Sequence, residues 1–367
     1  LKKKHFIIIL TIISLILLFL TILNYHNAKQ TNTHQSLDII KETTTKEIKD
    51  TDKGYLSICV TDYNDDKDPE NGMTTYFYCY DINTEKATKI TGIPYTSQYP
   101  LGVYSRKENT IYYTSQVKVN EKSKGDQLFS YDLNTKKTHQ LSQDVFAINY
   151  IVPMNDIIAV EAVKKGVREL KMAFYNKKKN SFEYVNIEND LEADILSYNP
   201  FIDKLAVSFR YKSQDYKSTM DFNEGKTSKP IHPNHYLYIF DEDYRNPKKV
   251  FSTKNMVLSQ IALDNHENLF LCQSDTTRNF NPKSSNCIFY PKENKIEQLE
   301  AISKNISISE FMFYNNDKTQ VFFIGANPKD EVNFPRGIYL YDFNTKKMKL
   351  IFTSKTCFIN NFMLLKN

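Results

Sequence analysis

The sequence predicts an all-β protein: a six-bladed β-propeller closed by the C-terminal strand and preceded by one N-terminal transmembrane helix. Three observations carry this expectation. A phrase recurs, "YDLNTKK" from Tyr131 and "YDFNTKK" from Tyr341, with four looser copies elsewhere. Each copy sits in the second half of a unit of four short strands. The first unit lacks its opening strand, and the chain ends on a strand that opens no further unit.

The elements follow in chain order. Residues 1–5 form a short tip that holds Lys2, Lys3 and Lys4. Residues 6–23 run for 18 positions without a charge. As a helix they rise about 27 Å, close to the hydrocarbon thickness of a bilayer. A cleavable signal has a shorter apolar run with a small-residue site behind it, and "NYHNAKQ" offers only Ala28. The segment therefore reads as an uncleaved anchor. Its leading lysines keep the N-terminus cytoplasmic and send the rest across the membrane. Residues 24–53 hold five Lys against five Asp and Glu and read as a polar stalk.

Residues 54–367 form the ectodomain. The 25 Tyr and 24 Phe, with abundant Ile, Val and Thr, favour strands. The aromatic that ends each repeated strand is Tyr80, Tyr131, Tyr175, Phe240, Tyr290 or Tyr341, at spacings of 51, 44, 65, 50 and 51. Asp and Asn suit the turn that follows, because their side chains bond nearby backbone and tolerate left-handed conformations. With nine Gly in the chain, Asn is expected to take the left-handed positions. A second hairpin precedes each phrase, most clearly "ADILSYNPFIDKLAVSF" at 193–209. Units of about 45–50 residues with four antiparallel strands, a to d, are propeller blades. The excess before Phe240 falls in one polar stretch, 210–235, without strand pairs, so the count stays at six. The first blade has b and c strands at 55–62 and 76–83 but no a strand. The tail, "CFINNFMLLKN" (357–367), supplies it and removes the open edge.

"SYNPFIDKLAVSF" resembles the W-S-P-D-G-x-x-I-A-F repeat of TolB-type six-bladed propellers over residues 55–367. Tyr198 stands in place of Trp, and Ile202–Asp203 in place of Asp-Gly. The resemblance implies the scaffold and a tendency to bind protein or peptide partners.

In an a-b-c-d meander the b–c and d–a connections share one end. The b–c segments 62–74, 115–127, 210–235, 274–286 and 325–336 are long, and long loops on a rigid face suit binding. The a strands, aligned on their turns, place Asn149, Asp194, Gln260, Glu310 and Asn361 in one column, with Gly102 in blade II. This predicts a polar ring at the channel mouth. A wet channel explains such residues without any ligand. The ring is also similar to the Asn, Asp and Glu set with which six-bladed lactonases hold calcium, and oxygen ligands suit that metal. In loop 62–74, Asp62, Asn64, Asp66 and Glu70 have the 1, 3, 5, 9 spacing of calcium loops, but Lys67 occupies the position that needs Gly. His232 and His235 lack a third zinc ligand. Cys59 with Cys79, and Cys272 with Cys287, lie on neighbouring strands. They read as cross-strand disulfides or as small buried apolar residues, and Cys357 is left over.

The net charge of +5, three of it from Lys2, Lys3 and Lys4, leaves no basic field for nucleic acid. No G-x-S-x-G elbow and no Trp occur, which removes serine-hydrolase, sialidase and quinone-propeller signatures. The expected function is a membrane-anchored extracytoplasmic interaction module. It would hold a protein, peptide or cell-wall ligand on the long-loop face and need no cofactor. The alternative is a calcium-dependent lactonase-like hydrolase that uses the axial ring.

Overall fold

The computed structural model describes residues 53–367 apart from 64–71, 95, 98, 121, 230, 242–243, 254–255, 276–283, 304 and 316–319. The expected anchor at 6–23, most of the stalk, and Asn64, Asp66 and Glu70 lie outside the described residues. Among the described residues no helix is long and apolar enough to cross a membrane.

Blade I contains β1 (Tyr55–Tyr63), β2 (Met73–Asp81) and β3 (Lys86–Pro94). Blade II is β4 (Gly102–Ser105), β5 (Thr110–Val119), β6 (Lys122–Asp132) and β7 (Thr138–Gln140). Blade III is β8 (Val145–Pro153), β9 (Ile157–Lys164), β10 (Leu170–Asn176) and β11 (Ser181–Tyr184). Blade IV is β12 (Leu191–Asn199), β13 (Lys204–Tyr211), β14 (His235–Phe240) and β15 (Lys248–Ser252), with helix α1 (Lys212–Asn223) between its second and third strands. Blade V is β16 (Met256–Leu263), β17 (Leu269–Asp275), β18 (Ser284–Tyr290) and β19 (Lys295–Leu299). Blade VI is β20 (Ser307–Tyr314), β21 (Gln320–Ala326), β22 (Gly337–Asp342) and β23 (Lys347–Thr353), and the chain ends in β24 (Cys357–Leu365). Six four-stranded antiparallel sheets result, and β24 is the inner strand of the first, in the order β24-β1-β2-β3.

The tail closes the ring as the sequence predicts. β24 runs antiparallel to β1, with Tyr55 opposite Leu365 and Asp62 opposite Cys357. Ile359, Phe362, Met363, Leu364 and Leu365 are buried in the main core. The a strands are innermost: β12 touches β16 beside it and also β20 and β24 across the axis, so the channel is narrow. Outer strands such as β7 and β19 are mostly exposed.

The repeated phrase has a local cause. In "YDLNTKK" the Asp132 carboxylate accepts N–H bonds from Asn134 at 2.7 Å and Thr135 at 3.0 Å. Asp342 does the same for Asn344 and Thr345, both at 2.9 Å, and Asp81 for Thr84 at 2.9 Å. Those N–H donors hold the Asp132 and Asp342 carboxyls below the usual range. The left-handed residue of the same turns is Asn180 in blade III and Asn294 in blade V, but Glu85, Lys136 and Lys346 elsewhere. Asn therefore fills that position only in part. The Asp side chain tightens the other three turns enough to hold a residue with a Cβ at positive φ.

Two segments differ from the sequence reading, and the cysteines follow the second of its two alternatives. Residues 115–127 are not a loop: β5 and β6 pair out to Val119 opposite Lys122. Segment 210–235 holds a helix, α1, of which no residue is buried. No apolar stripe marks it in the sequence, and its start is held from outside, where both oxygens of Asp190 accept the Ser213 N–H at 3.1 Å. All five cysteines are free thiols. Cys272 faces Asn286 and Cys287 faces Leu271, so a one-residue offset puts the two thiols on opposite faces of the sheet. Cys59 lies opposite Phe77, two residues out of register with Cys79.

Candidate functional site

The a strands start, the b strands end and the c strands start at one end of the propeller, the end that carries α1 and the other b–c connections. The polar residues of the axis sit in that half of the channel, and β-bulges decide how they point. Five a strands carry extra residues relative to their neighbours: Asn360 in β24, Phe146 and Asn149 in β8, Asp194 in β12, Ser259 in β16, and Ser309 and Phe311 in β20. Asn149 and Asp194 are therefore bulge residues themselves, whereas Gln260, Glu310 and Asn361 each follow one.

Asn361 is committed to the scaffold. Its side chain accepts the Gly102 N–H at 3.2 Å and donates to the Gly102 carbonyl at 3.1 Å, which ties the closing strand to blade II. Gly102 is required there, because a Cβ would lie 2.4 Å from the Phe77 ring. Asn360 donates to Thr61 Oγ1 at 2.6 Å and the Pro100 carbonyl at 2.7 Å. Gln260 is buried.

Asp194 and Glu310 belong to a different environment. Asp194 lies 3.4 Å from Nδ1 of His235 and 3.9 Å from the Arg210 guanidinium. Glu310 lies 3.3 Å from Arg336, which also donates to the Ile359 carbonyl at 3.1 Å across the blade VI–I seam. Both acids act on Tyr150, whose hydroxyl is pushed up by burial and by the charges of Glu161, Asp194 and Glu310. Burial also raises the Asp194 and Glu310 carboxyls, against the pull of their arginines.

Glu161 is the residue that sequence reasoning missed. It sits on β9 directly opposite Tyr150, beside the Asn149 bulge. It is 0% exposed, and neither carboxyl oxygen meets a donor at hydrogen-bonding geometry. Burial, then the nearby Asp194, drive its pKa well above the ordinary value; the Asn149 amide and Arg210 oppose the rise, and Glu192 adds to it. A lone acid in the apolar strand "IIAVEAVK" was the available signal.

This arrangement predicts a pH-dependent effect of Glu161→Gln. The groups facing Glu161 are Asn149 and Tyr150 from β8, Asp194 and Glu192 from β12, and Arg210 from β13. In the unfolded chain the acid ionises near the ordinary glutamate value of 4.5, while the fold retains the proton. The folded state thus loses stability as pH rises above that value, until the folded pKa is passed. The variant is expected to melt close to wild type at pH 4. At pH 8 it should be the more stable of the two, by about 1.4 kcal/mol for each unit by which folding raises the Glu161 pKa. Thermal melts at the two pH values check this.

Ser208, His235 and Asp194 have the residue types of a hydrolytic triad but not its geometry. Ser208 Oγ lies 2.9 Å from Nδ1 of His235, the same nitrogen that faces Asp194, and Ser208 is fully buried. Burial, with the Arg210 and His232 charges, holds the imidazole neutral, its pKa lowered to about 4. Among the described residues no three His, Cys, Asp or Glu side chains are grouped to hold a metal ion. His232 is exposed, while His235 faces Ser208.

No protein-family model matches the sequence, and no curated protein sequence does. Solved structures do. TolB from Acinetobacter baumannii superposes with a TM-score of 0.53 at 13% identity, covering 84% of this chain and 66% of TolB. A puromycin hydrolase variant superposes with a TM-score of 0.50 at 9% identity, covering 78% of this chain and 44% of the hydrolase. The chain thus spans about two thirds of the one and under half of the other. At these identities the likeness shows the fold: a six-bladed β-propeller of TolB-like form.

Proposed function

We propose that this protein is a membrane-anchored extracytoplasmic binding module whose long-loop end holds a protein, peptide or cell-wall ligand. One observation carries the reading. The b–c connections, α1, and the unpartnered carboxyl of Glu161 occupy one end of the wheel, whereas tight c–d turns occupy the other. A rigid ring with its variable segments at one end is the usual geometry of a binding platform. The apolar run at 6–23, behind three lysines, supports the tether and its orientation.

Replacing residues 212–234 by a short Gly/Ser turn is expected to abolish capture of the native envelope partner from solubilised membranes. Changing the c–d turn at 133–137 is expected to leave capture intact. An unchanged partner set after loss of 212–234 contradicts the reading.

A further inference from the structure

We propose that the long-loop end of the propeller axis is a binding site for a primary ammonium group, seated against Asp194, Glu310 and the Tyr150 ring, with Glu161 as its buried counter-charge. The inference rests on the binding-module reading only in assigning the ammonium to a partner; the site itself stands on its own geometry.

Two observations carry it independently. The first is the set of carboxyls around one tyrosine. Asp194 and Glu310 come from blades IV and VI, with Tyr150 of blade III interacting with both. Each has a single Arg beside it, at 3.9 Å and 3.3 Å. Glu192 adds a further carboxyl next to Glu161. The second is Glu161 itself. A fully buried carboxyl with no donor is costly, and buried polar groups are otherwise almost always paired. Its cross-strand position opposite Tyr150 puts both side chains on one face of the sheet, toward Asp194. The missing partner is a hydrogen-bond donor, and a cationic one would also be attracted by the other acids.

The kind of cation follows from shape. A metal ion needs oxygens converging on one point at about 2.0–2.6 Å, and the described side chains do not converge so. An ammonium group donates three bonds over a wide range of directions and is attracted by an aromatic face, so acids spread around a tyrosine suit it. The narrow axis favours a compact ammonium over a planar guanidinium. Burial lifts Asp194, Glu192 and Glu310 as well as Glu161, against the pull of Arg210 and Arg336. Binding would expel the proton from Glu161, so affinity should rise with pH up to that group's unliganded pKa. Arg210 and Arg336 each carry a buried Nε–H without an acceptor, which makes a carboxylate ligand the competing reading.

The test is calorimetry on the full chain in detergent, with n-butylammonium, n-butanol and n-butyrate as probes, in two buffers of different ionisation enthalpy. Expected are saturable binding of n-butylammonium alone, proton release near neutral pH, and affinity that rises with pH. Glu161→Gln should abolish the proton release and weaken binding about tenfold, as expected for loss of a charged hydrogen bond. Asp194→Asn should weaken binding as well and serves if Glu161→Gln does not fold. A free-lysine peptide and its Nε-acetylated counterpart distinguish the source. Binding of the first alone assigns a partner's lysine, and binding of n-butylammonium without the peptide assigns a free amine. No saturable amine binding, tighter binding of n-butyrate, or undiminished binding and proton release in Glu161→Gln overturns the proposal. Partner capture by the loop end is measured separately, so either reading can fail alone.

Discussion

Removing residues 357–367 is expected to leave no folded propeller. The truncation deletes β24, and with it the buried side chains of Ile359, Phe362, Met363, Leu364 and Leu365. Full burial of one such side chain is worth roughly 1.5–3 kcal/mol, so together they match the whole net stability of a typical domain, about 5–15 kcal/mol. The deletion also bares the β1 edge and removes Asn360 and Asn361, which bridge to blade II. Circular dichroism of the truncated chain should show no cooperative melt. A cooperative transition within a few degrees of the intact protein would mean that the tail does not complete the ring.

Asn361→Leu should be the most damaging single exchange at the axis. It keeps approximate volume but strands the Gly102 N–H and carbonyl, both in a buried seam. Two unsatisfied backbone groups at about 1–3 kcal/mol each give an expected loss of about 2–6 kcal/mol. Urea unfolding checks it. The loss should appear without any ligand, because Asn361 serves the closure of the ring. Glu310→Gln, half-exposed and facing Arg336, should cost far less.

Much of this architecture was legible in the residues. The repeated Y-D-x-N-T phrase is visible because an Asp that caps a turn is hard to replace by another residue type. The closing strand was legible because a chain that opens on a b strand and ends on an a strand has one economical way to pair both. The axial column was only partly legible. Counting from turns assumes one residue per rung, and each bulge adds one. The same count therefore lands on the bulge at Asn149 and Asp194 but one residue beyond it at Gln260, Glu310 and Asn361. α1 left no trace because a helix with no buried face has no hydrophobic period. Glu161 was overlooked because β9 reads as an apolar core strand, and burial of a lone acid becomes evident only when blade IV is set beside it.

The central claim is that the wheel encloses, at its long-loop end, a buried acid whose carboxyl oxygens meet no hydrogen-bond donor. The most direct measurement is a 13C NMR titration of the glutamate side-chain carboxyls, with the Glu161 resonance assigned by its absence from Glu161→Gln. The structure predicts that Glu161 titrates well above the other glutamates and shifts downward when n-butylammonium is added. A Glu161 that titrates with the exposed glutamates, unmoved by the amine, would contradict both the burial and the site built upon it.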